Sequence, residues 1–512
     1  MEGISAGAVR RYRRDRRDLR HLRPADGYLT VFLALTVAVL LALILTLVEG
    51  ARINAIRMKT EVAGNIAVRS VLGEFNRELL RQYDLYFVDS SYGTGSGSVE
   101  NVEQHLRNYM AKNLEASASP GFGIAGDFTG TRLEDLQITG TRFAADDKAR
   151  ALREQVYAYM SADPAGAVLA EVLTNVDVWQ GLLEDGSEWE KERSEARQDL
   201  RDQMRRARED ARENHTHEER QEAREEGDDM AEQAISRMDD FRHLPILRQV
   251  FGETSGLSMA AADGNVLSGR AIHCGTSLQV ENAHGYPRAD EVMFDLYIGE
   301  KCGCYTKALE KGRLRYQIEY ILAGKQTDRE NLEKIAERLL LIRTASNCAC
   351  LFSDEARRGE AEMVAAVVAL VLLNPELKEA LTTVLLFAWA YLESVQDLRV
   401  LFDGGRVPLL KTPETWRTSL TDLLTPGAAV QRGGSGGREG LCYADYLQGL
   451  LFLEGSSVKS LRTMDIMEMD LRRTPGNAGF RMDWCLDAFS MTAQVRSRFG
   501  PEVTLTKSEG YN

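Results

Sequence analysis

The sequence predicts an α+β, mainly helical protein built on a long N-terminal transmembrane helix, and three observations predict it. Tyr28 to Val48 is an unbroken apolar run with only Thr30, Thr36 and Thr46 as mildly polar members. Beyond it, Ile53, Ile56, Ala63, Ile66, Ala67, Val71, Phe75 and Leu79 recur at helical spacings, the pattern of an amphipathic helix. Most of the remainder is helical in period, and short alternating stretches at Leu136–Phe143, Tyr316–Leu322 and Phe489–Val495 supply the strands of a small sheet.

The apolar run has 21 residues, which at about 1.5 Å per residue matches the roughly 30 Å of bilayer hydrocarbon. It is too long for the core of a secretory signal and ends in Leu47-Val48-Glu49-Gly50 rather than a small-residue cleavage site. Eight arginines between Arg10 and Arg23 outweigh Arg52, Arg57 and Lys59 on the far side. That asymmetry predicts a cytoplasmic N-terminus and a C-terminal region outside the cell membrane, with the lipid bilayer as first partner. A net charge of -14 on the whole chain argues against a nucleic-acid partner, since most of the surface would repel phosphate.

No proline interrupts the pattern after Val48, so one helix is expected from about Tyr28 to about Tyr83. Its outer half admits two readings: it packs on the chain's own ectodomain, or it packs against self or pilus subunits through Ile53, Ile56, Ile66, Val71 and Phe75. The organisation expected is a basic tip at 1–27, the transmembrane helix at 28–48 and an amphipathic stem at 49–89. A flexible Gly/Ser connector at 90–98, a small α+β segment at 99–180, a charged helical hairpin at 181–242 and a mainly helical domain at 243–512 follow.

Within these segments, Val99–Leu114 and Asp146–Met160 have helical spacing. Between Glu188 and Asp229 stand sixteen acidic and ten basic residues, too polar to bury a core, and pairs such as Asp202 with Arg206 support a solvated helix. "NHTHEE" at Asn214–Glu219 breaks it, and Thr216 with Glu219 fits a capping box for the return helix. The stripe Ala196, Leu200, Met204, Ala207, Ala211 faces either the parent domain or a shallow coiled-coil partner. Thr327 or Asp328 caps a helix through about Ser346. Met363–Val395 is apolar enough to suggest a second span, but Asn374-Pro375-Glu376, Lys378 and Glu379 divide it. Charges at mid-bilayer cost roughly 2.5 kcal/mol or more each, so two core helices joined by a turn are expected.

No catalytic constellation is legible, and the chain is expected not to be an enzyme; no catalytic, cofactor-binding or metal-ligating residue is assigned. The seven cysteines, Cys274, Cys302, Cys304, Cys348, Cys350, Cys442 and Cys485, raise two alternatives. One is a metal site using the two Cys-x-Cys pairs with His273 and Cys274; the other is a disulfide between the two pairs. Residues i and i+2 on a helix point about 200° apart, which disfavours chelation from a helix. His215 and His217 have no third ligand nearby. "GGSGG" at Gly433–Gly437 lacks the Lys-Ser/Thr of a phosphate loop.

The basic leader ending in Gly27, the transmembrane helix and its amphipathic continuation resemble the pilin-like TadE and TadG proteins of tight-adherence pilus systems. Pilin signals carry glutamate five residues after the processed glycine, where this chain has Phe32, so an uncleaved signal-anchor is expected. "YLTVFLAL", "EGAR", "EFNRELLRQYDLYFVD", "IEYILAGKQTDRENL", "RLLLIRTASN", "VPLLKTPETW" and "GLCYADYL" are similar to an uncharacterised family of single-pass proteins from Gram-positive anaerobes, associated with such pilus genes. The resemblance implies a non-enzymatic, membrane-anchored surface protein, a pilin-like or accessory component of a pilus or related assembly. The alternative is an anchored extracellular binding or sensing ectodomain unrelated to pili.

Overall fold

The structure, a computed structural model, describes residues 25–115, 129–161, 166–214, 230–276, 278, 287–371, 374–432, 439–498, 500 and 502–511. The basic leader up to 24, His215, His217, the Thr216–Glu219 capping box and Gly433–Gly437 lie outside the described residues. Fifteen α-helices and a small antiparallel sheet are present among them. The chain divides into two compact units, one of residues 1–71, 103–138 and 491–508, the other of 72–102, 139–490 and 509–512.

The first unit is built on helix α1, Ala25–Leu72. Among the described residues it is the one helix long and apolar enough to cross a membrane, as a candidate span of 45 residues from Tyr28 to Leu72. The unit also holds most of α3 (Val99–Glu115), the first part of β2 (Thr131–Phe143), the last part of β3 (Cys485–Ser497) and nearly all of β4 (Glu502–Gly510). In this unit β3 lies between β2 and β4. The free edge of β2 is closed from α3, where Glu103 Oε2 accepts from the Ile138 N–H at 3.2 Å and Arg107 donates to the Leu136 carbonyl. Capping an edge in this way prevents unwanted strand pairing. Leu106, Met110, Leu114, Leu136, Met491, Ala493, Val495 and Leu505 form the core with the inner face of α1.

The second unit opens with α2 (Arg77–Tyr83) and the two-residue strand β1 (Val88–Asp89), which pairs antiparallel with the start of β3, Val88 opposite Leu486. The helices α4 (Asp146–Ser161), α5 (Gly166–Asn214), α6 (Met230–Arg242), α7 (Ile246–Phe251) and α8 (Pro287–Lys301) follow. After α9 (Gln317–Ala323) come α10 (Asp328–Ser353), α11 (Glu355–Val371), α12 (Leu377–Phe402), α13 (Pro426–Gln431), α14 (Tyr443–Leu453) and α15 (Ser456–Leu471). The core is centred on α12, whose residues from Leu385 to Phe402 are nearly all buried and which packs on α10, α11 and α5. An apolar helix enclosed on every side needs no polar face. Thus Met363–Val395 is the end of α11 and most of α12, turned at Asn374, whose side chain accepts from the Glu376 N–H at 3.0 Å.

Three sequence expectations are corrected. The stem helix ends at Leu72, not near Tyr83: the chain turns at Gly73–Phe75 and Asn76 caps α2, accepting from the Glu78 and Leu79 N–H groups at 3.0 and 3.1 Å. Leu79, Tyr83, Leu85 and Phe87 then belong to the core of the second unit. Tyr316–Leu322 is not a strand but α9, and because Gln317 to Leu322 are all buried no helical period could show. The 90–98 segment is not a loose connector. Ser90 and Ser91 are buried, Ser90 Oγ donates to the Trp484 carbonyl at 2.8 Å, and a Cβ on Gly97 would meet the Trp484 side chain at 2.4 Å. α3, β2, α4 and β3 stand where the spacing predicts them, and Thr327 caps α10 with Glu330 in a full capping box; α10 runs past Ser346 to Ser353, and β4 rather than β3 is the last strand.

Candidate functional site

Past the apolar run, α1 presents two faces. Ile56, Thr60, Ala63, Gly64, Ala67, Val68 and Val71 turn inward and are buried. The seam is narrow because its residues are small: a Cβ added to Gly64 would lie 2.4 Å from Leu505 Cδ2 and 3.4 Å from Met491 Cε. Thus β3 and β4 approach the helix backbone where a side chain would hold them off. Polar ties fix the register. Lys507 Nζ donates to Asn65 Oδ1, and Lys59 Nζ to Thr129 Oγ1 at 3.1 Å.

The opposite face carries Met58, Val62 and Ile66 at i, i+4 and i+8, 69%, 46% and 42% exposed. Spacing of four keeps them in one row, and Ala51 and Ala55 extend it toward the apolar run, where Tyr28 to Val48 are also exposed apart from half-buried Thr36. Arg52 pairs with Glu49 at 2.7 Å, and Arg57 and Glu61 are exposed. These charges flank the row and set it apart from the uncharged run Tyr28–Val48. An exposed apolar stripe on an otherwise seated helix is a surface that lipid or another protein can cover.

The residues expected to form this face are therefore divided. Ile56 and Val71 seat the helix on its own unit, Ile53 is half-buried, Phe75 lies past the helix end, and Ile66 alone faces outward. Met58 and Val62 went unassigned. Their signal was the row of four-residue spacings opposite the small residues Ala63, Gly64 and Ala67.

In the second unit the segments quoted for the resemblance converge indoors. Arg343 donates to Asp397 Oδ2 at 2.9 and 3.1 Å, to the Pro408 and Leu409 carbonyls at 2.8 and 2.7 Å, and to Tyr446 Oη at 3.1 Å. Lys411 Nζ and Arg417 reach Asp397 Oδ1 at 2.9 and 2.8 Å, and Lys411 also pairs with Glu393. Burial pushes the Asp397 carboxyl up, yet Arg343, Lys411 and Arg417 hold it below its usual range. Every arm of the cluster is engaged, so it pins the 406–418 segment onto α10 and α12 rather than offering a group to a ligand.

Of the hairpin stripe, Leu200 and Ala207 are buried in the core of the second unit and Ala196 and Met204 pack against it. Arg242 reaches Glu190 at 2.8 Å, and Arg197 pairs with Asp239, joining α5 to α6. All seven cysteines are free thiols. Burial pushes the Cys302, Cys348 and Cys485 thiols well up, so they are poor nucleophiles and ligands. Among the described residues no group of three or more His, Cys, Asp or Glu is placed to hold a metal ion.

No curated protein and no solved structure matches the chain. Residues 224–497, running from before α6 to the end of β3, match a family of unknown function, DUF5702. The match takes in over half of the chain, including α10, α11 and α12 but not α5, and by it the chain belongs to DUF5702.

Proposed function

We propose that this chain is a non-enzymatic surface protein, anchored once in the membrane with its N-terminus in the cytoplasm, that joins a tight-adherence pilus or related assembly through its stem. The observation that carries the reading is the two-sided α1. One face is consumed by the chain's own sheet, and the other continues from the apolar run as the row Met58, Val62, Ile66. A helix that serves only as a tether gains nothing from an apolar row held in water. A neighbouring stem anchored in the same membrane meets that row in parallel orientation, and burying three such side chains contributes about 1.5–3 kcal/mol each at most. Arg57 and Glu61 beside the row provide charges of both signs for register.

The test is disulfide capture in intact membranes from single substitutions Met58→Cys, Val62→Cys and Ile66→Cys in a Cys274→Ser background. A cross-linked second copy or pilus subunit from these positions, with none from the buried Ala63→Cys, is the expected result. Failure at all three positions while the protein stays membrane-bound favours the alternative, an anchored ectodomain that binds an extracellular ligand.

A further inference from the structure

One buried pair in the second unit is used by nothing described so far. Lys459, in the first turn of α15, places Nζ 2.6 Å from Oδ1 and 2.8 Å from Oδ2 of Asp295 on α8, with the Leu451 carbonyl at 3.3 Å. Their side chains are 3% and 1% exposed. Only the contact to Oδ2 has hydrogen-bond geometry. Oδ1 accepts from no described group although the amine is 2.6 Å away, so Nζ stands against both carboxyl oxygens with one of them unpaired.

The other buried lysine shows what is unusual here. At Lys411 the acceptor Asp397 is shared with Arg343 and Arg417, and that positive surplus keeps the carboxylate ionised and unreactive. Asp295 has Lys459 as its one cationic partner among the described residues. Burial pushes its carboxyl up to about 7, Lys459 opposes that rise, and the nearby Glu291 adds to it. Glu291 stands one turn earlier on α8 and accepts from Ser456 Oγ, one turn before Lys459.

We propose that Lys459 and Asp295 condense in the folded protein to an intramolecular isopeptide bond that clamps α15 to α8. One proton passes from Nζ to the Asp295 carboxylate, and the Nζ lone pair attacks Cγ and forms the C–N bond. The Cγ–OH bond breaks, one Nζ proton joins the departing hydroxyl, and one water molecule leaves; the amide nitrogen keeps one hydrogen. No oxidant or co-reactant is needed. Holding the two groups in contact supplies an effective concentration of about 10⁵–10⁸ M in well-oriented cases, and a site without bulk water protects the product from hydrolysis.

Peptide mapping of the full-length purified protein by mass spectrometry tests the bond directly and is indifferent to N-terminal processing. The expected result is a branched peptide that joins the Asp295 and Lys459 segments at their summed mass less one water. Asp295→Asn should give the same branched peptide by loss of ammonia instead, whereas Lys459→Ala should give linear peptides only. Linear Asp295 and Lys459 peptides from the wild-type chain overturn the proposal, whether or not the variants fold.

Discussion

In the first unit Met58, Val62 and Ile66 remain in contact with water beyond a long exposed apolar run, while in the second Arg343, Glu393, Asp397 and Lys411 are wholly enclosed. Both arrangements oppose the usual partition of residues, but they are resolved differently. The enclosed charges are answered by each other and by nearby carbonyls, so the second unit completes its own chemistry. The exposed apolar row is covered by nothing among the described residues of its own unit. The contrast teaches where to look for function: at what a unit leaves unfinished rather than at what is chemically rich.

The sharpest way to break this comparison is to unbalance the enclosed side. Asp397→Asn leaves Arg343 and Lys411 buried around a neutral group and is expected to cost about 3–5 kcal/mol, read as a lower urea midpoint. A loss below about 1 kcal/mol, the range of ordinary surface changes, would mean that the cluster is not self-balanced as described. The pH dependence has a definite sign. Because Asp397 is held below its usual range, its contribution is complete above the ordinary carboxylate range and is lost as pH falls through its folded value.

Glu319 titrates the opposite way. Its Oε1 accepts from the Tyr305 N–H and Tyr443 Oη at 2.7 and 2.8 Å, Oε2 has no partner among the described residues, and burial pushes the carboxyl up from 4.5 to about 7. Stability from this group is complete below the unfolded value and falls as pH rises to about 7, by a total on the order of 3 kcal/mol. Urea midpoints at about pH 5 and about pH 8 should therefore converge in Glu319→Gln relative to wild type. Equal pH sensitivity in both proteins would show that Glu319 is not the enclosed acid responsible.

On the other side of the comparison, the seated face of α1 should tolerate little. Gly64→Leu forces a side chain into the seam with Leu505 and Met491 and is expected to cost about 1–3 kcal/mol by overpacking. Thermal unfolding of the detergent-solubilised chain checks it; an unchanged melting temperature would show that α1 does not rest on β3 and β4 as closely as described.

How much of this could be read from the sequence depends on which kind of burial a segment meets. Residues 28–72 declared a helix because apolar length and spacing are properties of the segment itself, and Thr327 or Asp328 declared a start because a cap is local. The end of α1 was legible in principle through Gly73 and Asn76, but the apolar period continues past it into Leu79 and masks the turn. At α9 the signal was absent: six consecutive buried residues have no polar face, and alternation of aromatic and aliphatic residues imitated a strand. The stem's outer face failed for a related reason. A helix with a sheet on one side and an exposed apolar row on the other is apolar on both, so Ile56 and Ile66 fit one apolar pattern until the sheet buries one and leaves the other exposed. The enclosed cluster joins residues as far apart in sequence as Arg343 and Tyr446, and only the fold brings them together.

The smallest expected effect on stability is the one that bears most on function. Met58→Ser, Val62→Ser and Ile66→Ser together alter side chains that touch water already, so each should change the stability of the isolated protein by no more than about 0.5 kcal/mol. If the row packs on a neighbouring stem, the same triple substitution removes most of the apolar area of that contact and should abolish the cross-link formed from a cysteine at the adjacent Ala55. Wild-type unfolding combined with lost capture separates an assembly surface from a structural one, because a structural role would move both readouts. Capture that survives the three serines would place the contact elsewhere on α1, within Tyr28–Val48, and would reduce the stem beyond the membrane to a spacer.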